Sequence, residues 1–252
     1  CYNCRPMAPR YIKLTICYDG SGYHGWQVQP GFPTIQETLN HAIAELVGHK
    51  VNVTGASRTD ARVSALGQVG VFKTTSPIPV ENMARAITDR LPEDMAVIEA
   101  VEVKPPFDVI GAVKSKLYRY TIFTGPHRPV LEIKHLWHLP AELDVEAMAA
   151  AARHLVGKKD FKSFASAADT REDSVRTVFR CDVTRDSDRL YVEIEGDGFL
   201  YNMVRNIVGT LVEVGLGRAR PDDIPRILQA RDRRAAGPIA PPQGLCLMWV
   251  KY

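Results

Sequence analysis

The stretch from Gly55 to Val69, GASRTDARVSALGQV, sets one carboxylate, Asp60, inside a basic, glycine-led turn. Arg58, Thr59 and Arg62 surround it, and an apolar strand, Val69 to Phe72, follows. Two nearby cations keep such an aspartate ionised, because an opposite charge favours the charged form. Loops carry function more often than the elements they connect. The same residues also suit an Asx turn in which Asp60 caps its own backbone, and spacing alone does not separate the two readings.

Outward from this turn, periodicity gives a mixed fold. Thr34 and Glu37 have the spacing of a capping box, and Ile35, Leu39, Ile43, Leu46 and Val47 form a helical stripe that ends at Gly48. Strands are expected at Val51 to Thr54, Gly67 to Thr74 and Met95 to Val103, with a helix from Val80 to Leu91 stopped by Pro92. Lys104-Pro105-Pro106 reads as a domain junction. The second half repeats the scheme. A strand runs from Tyr118 to Phe123, and Asp144 caps an Ala-rich helix to Val156. Val175 to Thr184 and Leu190 to Glu195 form a hairpin around Asp186-Ser187-Asp188. Helices follow at Asn202 to Val214 and Asp222 to Gln229, with a closing strand from Leu245 to Lys251. Hairpins in place of strict βαβ alternation argue for an α+β fold. The expected division is an extension (1–10), an N-terminal α+β domain with the Asp60 loop (11–105) and a C-terminal α+β domain (106–252).

Composition narrows the class without naming a function. A hydrophobic fraction of 45% in 252 residues supports a real core. The balance of 32 Lys and Arg against 29 Asp and Glu, net +3, is only mildly basic. Arg218, Arg220, Arg226, Arg231, Arg233 and Arg234 crowd one late stretch, diluted by Asp222, Asp223 and Asp232. Such a run can follow a phosphate backbone or simply be a solvated face. No apolar run reaches the ~18 residues of a membrane span, and no signal peptide is visible. Cys1 and Cys4 form a C-x-x-C pair with no second pair to complete a zinc site, so no metal is expected. Met7 reads as a start, with Cys1 to Pro6 an extension. The reading is of a reduced, cytoplasmic protein.

Gly20, Gly22 and Gly25 spell G-x-G-x-x-G after a strand-like segment, which offers a nucleotide-binding oxidoreductase as a rival. That fingerprint needs a helix to open at the third glycine so that the pyrophosphate meets its N-terminus. Pro30 and Pro33 hold off any helix until Thr34, so no nucleotide cofactor is expected, and the glycines instead shape a loop near the site. Arg205 falls at the border of the apolar face formed by Met203, Val204, Ile207, Val208, Leu211 and Val212. A border arginine either snorkels to solvent or reaches into a cleft to pair with a carboxylate. Tyr118, on composition, is an ordinary strand aromatic.

Several segments, in order, resemble one family. Arg58-Thr59-Asp60 followed by Ala65-Leu66-Gly67-Gln68-Val69 resembles the catalytic motif of the TruA family of tRNA pseudouridine synthases. Tyr18-Asp19-Gly20 with Gly25-Trp26-Gln27, and Thr34-Ile35-Gln36, resemble the family's opening motifs. Lys116 to Tyr120 (KLYRY), Asp160 to Phe164 (DFKSF), Phe199 to Gly209 (FLYNMVRNIVG), and Gly237-Pro238 with Pro241 and Gly244-Leu245 complete the series. The likeness runs from Tyr18 to Tyr252, nearly the whole chain.

The resemblance implies two ferredoxin-like (RRM-like) halves sharing a mainly antiparallel sheet, with a basic RNA cleft between them. It implies isomerisation of uridine to pseudouridine in the tRNA anticodon stem-loop, at about positions 38–40, where bases can unstack. Asp60 would be nucleophile or base, Arg205 would pair with it, and Tyr118 would stack on the target base. Arg58, Arg62, Gln68 and Arg119 would contact RNA, and the protein would be a homodimer. The isomerisation is redox-neutral, so no cofactor is required. A glycoside hydrolase would need two carboxylates about 5–9.5 Å apart, and this motif offers one. The chain departs from the family at Ser57 (usually Gly), Arg62 (Gly), Ser64 (His) and Ile110 (Arg). Ser57 would restrict the turn if its φ had to be positive. A non-catalytic RNA-binding module of the same fold is the alternative, and loss of Asp60 distinguishes the two.

Overall fold

A computed structural model describes residues 8–252. The Cys1–Cys4 pair, and most of the extension expected at 1–10, lie outside the described residues. The fold is mixed α+β, with mainly antiparallel strands and five α-helices among the described residues. Two compact units are present: one runs to Val113 and takes up Leu247–Tyr252, and the other is Lys114–Cys246.

The first unit contains β1 (Arg10–Tyr18), α1 (Ile35–Val47), β2 (Thr54–Gly55), β3 (Ser64–Thr74), α2 (Val80–Thr88) and β4 (Met95–Val103). β1 lies between β4 and β3, antiparallel to both. Its alternation sends Ile12, Leu14, Ile16 and Tyr18 into the core, where α1 and α2 add Leu39, Ile43, Met83 and Ile87. β3 is buried on both faces: Ala56, Val69, Val71 and Val109 form a second cluster with Phe107, Val113, Val250 and Tyr252 packed against it. That cluster explains why the chain after Pro106 stays with the first unit, and the Tyr252 hydroxyl adds a bond to the Val109 carbonyl at 2.7 Å.

The second unit contains β5 (Ser115–Phe123), β6 (Trp137–His138), α3 (Val145–Arg153), β7 (Gly157–Asp160), β8 (Val175–Asp186), β9 (Arg189–Gly196), α4 (Met203–Gly215) and α5 (Asp223–Ala230). Here β5, β9, β8 and β7 lie side by side in that order, antiparallel throughout, while β6 adds a short parallel pairing to β5. α4 is almost wholly buried. β10 (Leu245–Lys251) closes the chain, and its last residues rejoin the first unit.

Several sequence expectations need correction. The Thr34–Glu37 capping box does not form: Thr34 makes no side-chain cap bond and its hydroxyl is buried without a partner. The first amides of α1 go instead to distant carbonyls, Ile35 N–H to Gly25 at 3.1 Å and Gln36 N–H to Trp26 at 3.0 Å. The strand expected from Val51 shrinks to Thr54–Gly55, whereas β3 begins three residues early, at Ser64. α2 stops at Thr88, whose hydroxyl donates to the Ala84 carbonyl and accepts the Val97 amide, tying the helix end to β4.

Candidate active site

In the first unit the chain leaves β2, forms a loop from Ala56 to Val63, and returns in β3. Gln68, fully buried, fixes one stem of this loop: its Nε2 donates to the Ser57 carbonyl at 2.7 Å and its Oε1 accepts the Ser57 amide at 3.3 Å. At the next turn, the Thr59 and Tyr18 hydroxyls bond at 2.8 Å in a buried position. The Tyr23–Trp26 segment grips the loop's backbone. Trp26 N–H donates to the Thr59 carbonyl at 3.0 Å, and Arg62 N–H donates to the Tyr23 carbonyl at 3.1 Å. Gly25, at φ +89°, makes this approach possible, because a Cβ there would lie 2.7 Å from the Thr59 carbonyl oxygen and 3.0 Å from the Asp60 carbonyl carbon. The Ser64 hydroxyl accepts the Gly20 amide at 3.0 Å and locks the other stem. Asp60 is half-buried on this immobilised turn, with Arg58 and Arg62 exposed beside it.

The glycine pattern thus belongs to the loop's support. Gly20–Gly22 forms a single 3-10 turn, and among the described residues no α-helix starts before Ile35. Gln68, expected at the RNA surface, is fully buried, with its amide committed to Ser57. Ser57 is not among the described residues with positive φ; Arg62 is, at φ +67°. The left-handed position is therefore Arg62, five residues on from Ser57. An arginine there costs roughly 1–2 kcal/mol of left-handed strain, partly offset because glycine loses more entropy on folding. Arg62→Gly is expected to raise stability by about 0.5–1 kcal/mol in urea unfolding while weakening RNA binding through the lost cation. A loss of stability would show that the guanidinium stabilises the loop.

In the second unit, strand alternation puts Lys116, Tyr118 and Tyr120 on one face of β5. Tyr118 is buried, with its ring edge-on to Phe199 at 5.3 Å. Tyr120 donates to the Pro241 carbonyl at 2.7 Å. Arg119 lies on the opposite face. It pairs with Glu193 on β9 at 2.7 Å and stacks over Tyr191. Arg205 sits half-buried in the first turn of α4, behind Asn202 at φ +61°. Its Nε donates to the Ala240 carbonyl at 2.8 Å, its own carbonyl accepts the Ala240 amide at 3.1 Å, and its Nη1 donates to Asn202 at 3.1 Å. The Gly237–Pro241 strap therefore orients the guanidinium.

A family description, tRNA pseudouridine synthase, matches residues 15–110 and 151–252. The tRNA pseudouridine synthase A of Moorella thermoacetica is 46% identical over 243 residues, covering 96% of this chain and 99% of its own. The enzymes of that name from Geotalea uraniireducens and Acetivibrio thermocellus are each 44% identical over 243 residues, covering 96% of this chain and all of their own. The chain belongs to the TruA family of tRNA pseudouridine synthases.

In this TruA-family chain the late arginine run is interleaved with acidic partners. Arg218 pairs with Glu213, Arg226 with Asp223, Arg231 with Asp160 and Arg234 with Asp232, while Arg233 donates to the buried Asn206. The DFKSF turn is scaffolding: the Ser163 hydroxyl donates to the Ile227 carbonyl at 2.6 Å and accepts the Asp232 amide at 3.0 Å, holding both ends of this region. Among the described residues no group of three His, Cys, Asp or Glu is placed to hold a metal ion, and no helix is long and apolar enough to cross a membrane.

Lys116 is the residue that sequence reading passed over, although its place two before Tyr118 in the strand was visible. It is 9% exposed, and burial, reinforced by the Arg171 and Arg176 charges, pulls its ammonium down to about 8. Because the folded value lies below the unfolded one, the unfolded chain binds more protons between about pH 8 and pH 10.5, so this lysine's contribution makes the fold more stable as pH rises across that window. Below it, the buried charge costs on the order of 3 kcal/mol. Lys116→Met is expected to unfold at higher urea than the parent at pH 7, with the gap closing by about pH 10. A pH-independent gap would contradict this.

Proposed function

We propose that this enzyme converts uridines at about positions 38–40 of the tRNA anticodon stem-loop, where bases leave their stack readily. Asp60 attacks C1′ as nucleophile or takes a proton at the 2′ carbon. The N1–C1′ bond breaks, the base turns, and C5 bonds to C1′ as the Asp60–C1′ bond breaks or, on the other route, as the proton returns to C2′; the C5 proton then passes to solvent while N1 is protonated. Arg205 pairs with Asp60, Tyr118 stacks on the base, and Arg58 and Arg62 contact RNA. The N-terminal half carries the Asp60 loop, and the C-terminal half carries Tyr118 and Arg205. Each half is ferredoxin-like, their strands share one sheet, and a basic cleft between them receives RNA. A homodimer in the cytoplasm supplies enough surface for both tRNA body and target loop.

The observation that carries this reading is the fixing of the Asp60 turn: Gln68, Tyr18, Gly25 and Ser64 together hold one half-buried carboxylate between two exposed arginines. A carboxylate needed only to cap a turn requires no such support, whereas a reacting group must be held to within a fraction of an ångström. Carbodiimide mapping of tRNA transcripts after incubation is expected to place pseudouridine within the anticodon arm. Modification confined to another arm would overturn the assignment of the target.

A further inference from the structure

The segment that grips the Asp60 loop also carries an aromatic pair to which the reaction gives no role. His24 stands between Tyr23, whose carbonyl accepts the Arg62 amide at 3.1 Å, and Gly25, where a Cβ would lie 2.7 Å from the Thr59 carbonyl oxygen. Those two contacts fall on either side of Asp60 in the chain, and the His24 Cα is one peptide, about 3.8 Å, from each gripping residue. The His24 and Phe32 rings stack with centroids 4.2 Å apart and planes 29° from parallel. Both side chains are exposed, Phe32 at 47%. We propose that His24 and Phe32 form a stacking platform for one unpaired RNA base that flanks the target uridine. The proposal rests on the reading that Asp60 reacts with that uridine.

The pair is held in place by bonds that do not involve the Phe32 ring. Pro30 and Gly31, the latter at φ +82°, form the centre of a type II turn closed by the Phe32 amide on the Gln29 carbonyl at 3.3 Å. The His24 amide donates to the Pro33 carbonyl at 2.9 Å, and the Gln29 side-chain amide donates to the His24 carbonyl at 3.3 Å. The Val28 amide goes to Gln36 Oε1 at 3.1 Å. None of these bonds needs an aromatic side chain at position 32. A ring already fixed on such a turn loses little freedom when a base covers it. Taking a uridine out of its stack removes a partner from each adjacent base, and an exposed aromatic near the reacting carboxylate replaces that partner. Stacking of this kind needs a flat accessible face and tolerates any base. No acidic residue stands between Gly20 and Gln36, so the phosphates beside that base meet no fixed negative charge from this segment.

The test is a binding cycle with a stem-loop RNA containing the target uridine. An abasic residue replaces, one at a time, the loop nucleotides on its 5′ and 3′ sides. Phe32→Leu keeps apolar bulk and removes the ring, whereas Phe32→Trp enlarges it. At one position the missing base is expected to weaken wild-type binding about tenfold and Phe32→Leu binding less than twofold. Phe32→Trp is expected to keep the full sensitivity at that position, a rescue that a purely structural role would not give. His24→Ala enters the same cycle, so the result does not depend on one variant folding. Abasic penalties that are equal in the wild type, Phe32→Leu and His24→Ala at every position would overturn the platform. Conversion of the intact RNA by the wild type and by Asp60→Asn is measured in parallel. Equal penalties in an RNA converted by the wild type alone overturn only the platform, whereas absence of Asp60-dependent conversion overturns the reading of Asp60 and the platform with it.

Discussion

Asp60→Asn is expected to lower turnover by about 10⁴-fold or more and to leave tRNA affinity within about threefold of the parent. Asparagine matches aspartate in shape and can make the same Asx-type contacts, so the turn survives. Its support comes from elsewhere, through Gln68, Thr59, the Tyr23 and Trp26 backbone and Ser64, none of which needs the carboxylate. What disappears is the charge and the nucleophilic or basic oxygen. RNA binding draws on many phosphate contacts and hardly registers one side chain. A pure binding module would show no change in either quantity, and a structural aspartate would show a fall in stability instead. Single-turnover rates and fluorescence anisotropy on one preparation, with a melting curve, separate the three.

The second large effect is expected at Gly209, where two rules give opposite signs. In an isolated helix Gly→Ala stabilises by about 1 kcal/mol. Gly209 of α4, however, faces the Gly237–Pro241 strap so closely that a Cβ would collide with the Pro238 carbonyl oxygen and lie 2.9 Å from its carbon. Those are backbone atoms, which cannot swing aside as a long side chain would. The strap is held by the Gly237 amide on Thr210 at 3.0 Å and by the exchange between Ala240 and Arg205. Gly209→Ala must therefore lift the strap or shift the helix, and overpacking of this kind costs about 1–3 kcal/mol or somewhat more. We expect a net loss of about 2 kcal/mol, seen as a drop of roughly 4–8 °C in Tm. Turnover should fall further than stability accounts for, because Ala240 orients Arg205. A higher Tm would mean that helix propensity wins and that the strap is loosely held.

How far the sequence could be read depends on the range of the interactions involved. β4 and β10 were legible to the residue, since their apolar runs are bounded by chain-breaking or polar neighbours. The β8–β9 hairpin was legible from its acidic, serine-centred turn, where Ser187 takes φ +54°. β7, Gly-Lys-Lys-Asp, was not, because nothing in its composition marks a strand; its pairing with Thr177 and Val178 on β8 makes it one. The capping box at Thr34 failed for the same reason in reverse: a correct local pattern was displaced by carbonyls brought from Gly25 and Trp26. In the site, the motif identified the Asp60 turn but not what holds it. Gln68 and Ser57 are eleven residues apart, and only the β2–β3 pairing brings their amides together. That Tyr118 and Arg119 lie on opposite faces of β5 was legible, since neighbours in a strand face opposite ways.

The most direct measurement is tritium release from an unmodified tRNA labelled at uridine C5, with Asp60→Ala as the control. Bonding of C5 to the sugar expels that hydrogen, so release counts the isomerisation itself. The account predicts release with the parent protein, stoichiometric with the target uridines, and none with Asp60→Ala although the RNA is still bound. Release that persists in Asp60→Ala would contradict the central claim that this carboxylate performs the reaction.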